Sequence, residues 1–167
     1  MMAGVGPDLL GRLMDVHAAA LTLYARQWCA APEDVVQEAF IKLLAQKTPP
    51  AHVVPWLYRV VRNGAVSAAR AARRRQRHEA AAAGRTPSWF ADASGSGLDG
   101  QAATAALQAL PLEQREAIVA HLWGGLTFEQ IAELTGCSRS TAHRHYLAGL
   151  LALRERLNVP CPNTTTT

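Results

Sequence analysis

The stretch from Gly125 to Leu157, GLTFEQIAELTGCSRSTAHRHYLAGLLALRERL, reads as a helix, a tight turn and a second helix. Thr127 and Gln130 make a T-x-x-Q capping box, in which the Thr hydroxyl accepts an N–H at the helix start and the Gln side chain returns to the Thr backbone. A short helix is therefore predicted from Phe128, with Ile131, Ala132 and Leu134 on its apolar side. Thr135-Gly136-Cys137 ends it, since Gly136 can take the positive φ that a sharp turn between helices requires. Ser138 then caps a second helix. Ala142, Tyr146, Leu150, Leu153 and Leu157 recur there at three- or four-residue spacing as a buried stripe, leaving Arg139, Ser140, His143 and Arg144 on the opposite face. A purely structural hairpin has no reason to gather Arg, Ser, Thr and His in those first turns while keeping acids out until Glu155. Hydrogen-bonding side chains at the start of a second helix suit the DNA major groove.

The remaining sequence supports such a reader. A chain of 167 residues, 49% of them hydrophobic, can bury one ordinary core or two small helical ones. Its formal charge of +4 is unevenly spread: Trp56 to Arg85 holds eight Arg against one Glu, and everything else is net negative. Cys29, Cys137 and Cys161 are odd in number, far apart and free of any C-x-x-C pair, which points away from a disulfide framework or zinc ribbon and fits a reducing cytoplasm. Asp8, Arg12 and Asp15 interrupt the first helix, so no secretory leader is expected, and no apolar run approaches the roughly 18 residues of a membrane span.

Along the N-terminal half, Leu10, Met14, His17, Leu21, Tyr24 and Trp28 define a packing helix from about Asp8 to Trp28. Pro32 opens a second helix, complemented by Glu33 and Asp34, with Val36, Ala39, Phe40 and Leu43 inward to about Gln46. Its other side holds Asp34, Gln37, Glu38 and Lys42, which in isolation reads as a solvated face. Lys47-Thr48-Pro49-Pro50 breaks the chain and Pro55 is predicted to start a third helix, with Trp56, Leu57, Val60, Val61, Gly64 and Ala68 at helical spacing. Arg59, Arg62 and Asn63 are expected to face outward, and Arg70, Arg73, Arg74, Arg75 and Arg77 load the far end. Five Arg in eight residues exceed what a helix dipole needs and suggest phosphate neutralisation.

From Glu79 to about Gly100 the composition turns to Ala, Gly, Ser, Pro and Asp, as expected of a flexible linker. Trp89-Phe90 within it is either a docking point or a chance apolar pair. A short helix over Gln101–Leu110 and another from Pro111, with Ala117, Ile118, Val119 and Leu122 inward, are predicted to support the helix-turn-helix. Pro160 to Thr167 has nothing to pack against.

Two blocks in this order resemble the sigma-70 family of bacterial transcription initiation factors, in its short extracytoplasmic-function (ECF) group. EDVVQEAFIKLL at Glu33–Leu44, PWLYRVVRNGAV at Pro55–Val66 and the Arg-rich end look like region 2; LPLEQREAIVAHLWGGLTFEQIAELTGCSRSTAHRHY at Leu110–Tyr146 looks like region 4. The resemblance implies an all-α fold with a region 2-like bundle (residues 8–83), a flexible linker (84–100) and a region 4-like helix-turn-helix domain (101–158). It implies that Asp34, Gln37 and Glu38 grip the β′ clamp of core RNA polymerase. Trp56, Arg59, Arg62 and Asn63 would meet the −10 promoter element, with Arg70, Arg73 and Arg74 on phosphates, and the loop from Gln46 to Val54 would receive a flipped base. Arg139, Ser140, Thr141, His143, Arg144 and His145 would enter the major groove at the −35 element. The loop before Trp56 is shorter than the family's usual form, and His143 and His145 stand where many members have Arg, so phosphate attraction there is expected to be weaker and more pH-dependent.

The expected work is binding, without catalysis, cofactor or metal, in the cytoplasm, with core polymerase, promoter DNA and an anti-sigma factor as the partner classes and no membrane insertion. Serines and histidines on a solvent-facing helix end have no pocket in which to act as nucleophile and base. A one-component regulator that binds duplex DNA without joining polymerase is the alternative, and it leaves DVVQEAF unexplained. A metal or redox sensor built on Cys137, His143 and His145 is opposed by the two-residue spacing of the histidines, which puts them on different helix faces.

Overall fold

The computed structural model describes residues 6–80 and 98–158. Among these the chain forms seven α-helices: α1 (Pro7–Ala25), α2 (Pro32–Leu44), α3 (Val53–Ala80), α4 (Leu98–Gln108), α5 (Leu112–Ile118), α6 (Phe128–Thr135) and α7 (Arg139–Leu157). A π-helical turn, Val119–Trp123, continues α5. No strand occurs among the described residues, and no helix there is long and apolar enough to cross a membrane. The readings of residues 84–97 as a linker, of Trp89-Phe90 and of Pro160–Thr167 lie outside the described residues.

The first three helices pack as a bundle around Leu21, Tyr24, Val36, Phe40, Leu43, Leu57, Tyr58 and Val61, all buried. The expected stripe of α2 is thus the observed one. On α1 the face is rotated slightly: Met14 is exposed and Leu13 packs against the core instead, because the bundle closes mainly on the C-terminal half of this helix. α1 also ends at Ala25, three residues before Trp28, which still packs on the core from the turn beyond. α3 begins at Val53, so Pro55 lies in its first turn, where a missing N–H has no intrahelical partner to lose. Tyr58, absent from the predicted stripe, is fully buried.

The C-terminal helices pack α5 against α7 and α6 against α7. The seam on α7 differs from the expected leucine stripe. Ala142 and Gly149 are buried, Tyr146, Leu150 and Leu153 half-buried, and Leu157 exposed. The close helix crossing explains this: a Cβ on Gly149 would stand 2.6 Å from Ile118 Cδ1 and 3.1 Å from Gln114 Cβ, so any side chain there would force its neighbours to shift. Leu122, predicted inward, is exposed as well. The π turn inserts an extra residue before the chain leaves the helix, with Gly124 N–H donating to the Val119 carbonyl at 3.2 Å, and this shifts the phase of the apolar side. α4 starts at Leu98, three residues before the predicted position.

The helix-turn-helix follows the local chemistry. Thr127 Oγ1 accepts from Gln130 N–H at 3.2 Å and Gln130 Oε1 accepts from Thr127 N–H at 2.9 Å, completing the box. Gly136 has φ 74°, and Ser138 Oγ accepts from Thr141 N–H at 3.1 Å to start α7. A side chain at Gly136 would meet open space, so Gly136→Ala should cost about 1–2 kcal/mol through the left-handed backbone alone. Gly11, exposed inside α1 and equally uncrowded, should respond in the opposite sense, Gly11→Ala gaining about 0.5–1 kcal/mol. Denaturant melts of the two variants check both signs; equal shifts would contradict the assignment.

Burial pushes the Cys29 thiol up in pKa, the Glu33 and Asp34 charges add to the effect, and a backbone contact at Ala31 opposes it. The thiolate is therefore disfavoured in the folded chain, where Sγ donates to the Ala25 carbonyl at 3.5 Å. Peptide mapping after brief iodoacetamide treatment at pH 8 should find Cys29 alkylated roughly tenfold or more slowly than in denaturant.

Candidate nucleic-acid and polymerase interfaces

Asp34, Gln37 and Glu38 are all exposed on the side of α2 opposite its buried stripe. Glu33 pairs with Arg26 and Glu38 with Lys42, each at 3.6 Å, and these surface pairs leave the acidic face hydrated and available. The face exists because Val36, Ala39, Phe40 and Leu43 fix the rotation of α2 on the bundle.

Arg139, Ser140, His143 and Arg144 are exposed around the first turns of α7. With Phe128 at their back, Arg139, Ser140 and His143 line a shallow cleft of about 320 Å³. Arg139 Nε sits 2.7 Å from Glu129 Oε1, which neutralises it in the absence of a nucleic acid. The His143 ring meets Phe128 edge-on at 4.8 Å. Phe128 also stacks on His121 at 4.5 Å, and His121 Nδ1–H donates to the Leu126 carbonyl at 2.7 Å, so the two helices are locked at their aromatic end. Thr141 is half-buried and its hydroxyl lies 2.9 Å from Ser138 Oγ, tying it to the cap. His145 is half-buried and lines a different cleft, of about 180 Å³, together with Glu116, Arg62 and Cys137.

Along α3, Arg59, Asn63, Arg70, Arg73 and Arg74 are exposed and Trp56 is half-buried. Arg62 corrects the expectation that it faces outward. Its Nε donates to Glu116 Oε1 at 2.6 Å and its guanidinium lies 5.8 Å from the centre of the Trp28 ring. The same Glu116 oxygen accepts from the Tyr24 hydroxyl at 2.5 Å. Glu116 is 2% exposed, a buried carboxylate on α5 held by α1 and α3. Burial, reinforced by the Glu116 charge, holds the Tyr24 phenol well above its ordinary pKa, so it remains a donor. Burial pulls the Arg62 guanidinium down, and the hydrogen bond and charge of Glu116 more than offset it, leaving it raised.

Around this pair the two halves share one apolar core. Tyr24 and Tyr58 lie 4.8 Å apart, and a Cβ on Gly124 would stand 2.6 Å from the Tyr58 ring. Arg59 faces Glu133 of α6 at 4.0 Å. Sequence reasoning missed Glu116. Its signal was its phase, three and four residues before the buried Val119 and Ala120, which puts a carboxylate on the inner side of a helix.

Comparisons with known proteins agree with this architecture. The family described as Sigma-70 region 2 matches residues 13–75, and the one described as Sigma-70, region 4 matches residues 100–153. The chain is 33% identical over 135 residues to the RNA polymerase sigma factor CarQ of Myxococcus xanthus, covering 77% of this chain and 75% of that one. It is 30% identical over 148 residues to the probable RNA polymerase sigma factor RfaY of Xanthomonas campestris, covering 83% of this chain and only 37% of that protein. Among solved structures, it is similar to the sigma factor RpoE in complex with the anti-sigma factor NepR from Bartonella quintana. That match has a TM-score of 0.71 at 25% identity and covers 93% of this chain and all of that one. The fold is also that of CnrH in complex with the cytosolic domain of CnrY, with a TM-score of 0.56 at 20% identity over 93% and 92% of the two chains. With a region 2 bundle and a region 4 helix-turn-helix in the order of the sequence blocks, the chain belongs to the sigma-70 family of RNA polymerase sigma factors, in its extracytoplasmic-function group.

Proposed function

We propose that this sigma factor docks core RNA polymerase through Asp34, Gln37 and Glu38 on α2. We further propose that it reads the −35 element with the start of α7 and steadies the opened −10 strand with α3. The domains carrying these roles would be residues 8–83 and 101–158, joined through 84–100. The observation that carries the reading is the exposed turn of Arg139, Ser140, His143 and Arg144 on a capped helix N-terminus, backed by α6 with Ile131, Ala132 and Leu134 buried. Such an end offers side-chain donors to base edges and a positive dipole to phosphate. Thr141 and His145 would serve at its margin. Trp56, Arg59, Arg62 and Asn63 would take the unpaired strand by stacking and charge, with Arg70, Arg73 and Arg74 along the phosphates.

The work is binding; polymerase supplies the bond-making. An anti-sigma factor, the partner class of the solved RpoE complex, would act on the same surfaces, in the cytoplasm where transcription takes place.

Run-off transcription with purified core polymerase and a genomic fragment library tests this. The wild type should give discrete start sites. Asp34→Ala/Glu38→Ala should abolish them with loss of core binding. Arg139→Ala/Arg144→Ala should keep core binding and lose roughly a hundredfold in duplex affinity, since each good base contact is worth about 1–3 kcal/mol. A chain that retards duplex DNA yet never joins core or directs initiation would be a stand-alone regulator, and the reading would fall.

A further inference from the structure

The ion pair at the start of the helix-turn-helix contributes little to holding the fold. Arg139 Nε lies 2.7 Å from Glu129 Oε1, and the two side chains are 70% and 59% exposed. Pairs so open to water add little stability, because hydration and salt already screen the charges. Arg139 is also the first residue of α7, where a cation meets the positive end of the helix dipole and is unfavourable. Helix formation therefore does not account for an arginine at this position.

What the pair fixes is direction. A guanidinium is planar and carries five N–H groups, one on Nε and two on each Nη. With the Nε edge engaged by a carboxylate, the free donors are those of Nη1 and Nη2, a two-pronged end that matches two acceptors side by side. Guanine offers such acceptors, O6 and N7, on its major-groove edge; adenine presents an amino donor beside N7, and neither pyrimidine presents two acceptors. An untethered arginine samples many rotamers and settles readily on a phosphate, which takes a cation without regard to sequence. A carboxylate beside it opposes that second choice, because phosphate carries charge of the same sign.

Both partners ride on fixed backbone. Glu129 stands between Thr127 and Gln130, the two members of the capping box, and Arg139 directly follows the Ser138 cap of α7. Phe128, next to Glu129, meets His143 one turn along α7 at 4.8 Å, which holds the two helix starts against each other. The cleft of about 320 Å³ lined by Phe128, Arg139, Ser140 and His143 lies open beside the pair.

We propose that Glu129 is a positioning residue for sequence reading: it buttresses Arg139 so that Nη1 and Nη2 meet a guanine of the −35 element, and it turns that guanidinium away from phosphates. The pair that neutralises Arg139 in the free chain is thus also the device that aims it. The inference rests on the proposed −35 role of α7 and deepens it, by assigning one base to one side chain.

Selection from a duplex library with about ten randomised base pairs, roughly one helical turn, by the full chain with and without core polymerase, tests the buttress. The wild type should enrich a motif with a guanine column that Arg139→Ala erases. Glu129→Ala should weaken that same column about tenfold and leave the others in place. Its binding to duplex of unselected sequence should tighten roughly threefold, with a salt dependence steeper by about one phosphate, as the released Arg139 takes a phosphate instead. Glu129→Gln, which keeps an oxygen for the Nε–H and loses the charge, should restore most of the guanine preference while retaining the tighter unselective binding. Adding Glu129→Ala to Arg139→Ala should change the column no further. A guanine column that survives Glu129→Ala overturns the buttress, as does an equal loss in every column, which marks Glu129 as a support of α6 alone. Loss in a column other than that of Arg139 makes Glu129 a base reader itself and overturns it too. Selection that succeeds only without core polymerase leaves the buttress standing and removes the polymerase role proposed above, whereas the absence of any motif in both arms overturns the two together.

Discussion

One carboxylate oxygen ties the two halves of this sigma factor together. Glu116 Oε1 accepts from Tyr24 on α1 and from Arg62 on α3, and a buried anion is tolerable only because both donors are fixed there. Their placement in turn requires the tyrosine pair, the ring of Trp28 beside Arg62, and a Gly124 that leaves room for Tyr58. The π turn after α5 delivers that glycine to the right point by delaying the end of the helix. Ion pair, aromatic wall and helix defect thus form one unit, and the apolar core runs through it without a break.

The surfaces outside that unit are simple by comparison. α2 presents its acids because its apolar stripe can dock in only one rotation, and α7 presents its first turn because Ala142 and Gly149 press the rest of the helix onto α5. Neither surface needs a pocket or a perturbed side chain. Both consist of ordinary charged and polar groups held at defined positions on helices whose other sides are packed. The arginines of α3 split into two sets, with Arg70, Arg73 and Arg74 exposed and Arg59 and Arg62 turned toward glutamates.

Local signals along the chain determined much of this. The capping box at Thr127 and Gln130, the positive φ at Gly136, the Ser138 cap and the stripe of α2 are set by interactions within a few residues, and each is found where the sequence puts it. The all-α class and the family followed from the same stretches, because region 2 and region 4 are marked by short helical patterns. The sequence also located the charged faces, although their partners remain proposals.

Tertiary structure alone decided what depends on groups distant in the chain. Glu116 meets Tyr24 across 92 positions and Arg62 across 54, and no local pattern encodes such a meeting. The periodicity that put Leu122 and Leu157 inside assumed an uninterrupted helix and leucine-sized spacing. A π turn and a crossing at Ala142 and Gly149 replaced them, since small residues let two helices approach closely. Arg62 was expected in solvent because an arginine in a basic helix usually is. It lies half-buried because a carboxylate from the other half of the chain repays its lost hydration, which only the folded arrangement of the two halves could supply.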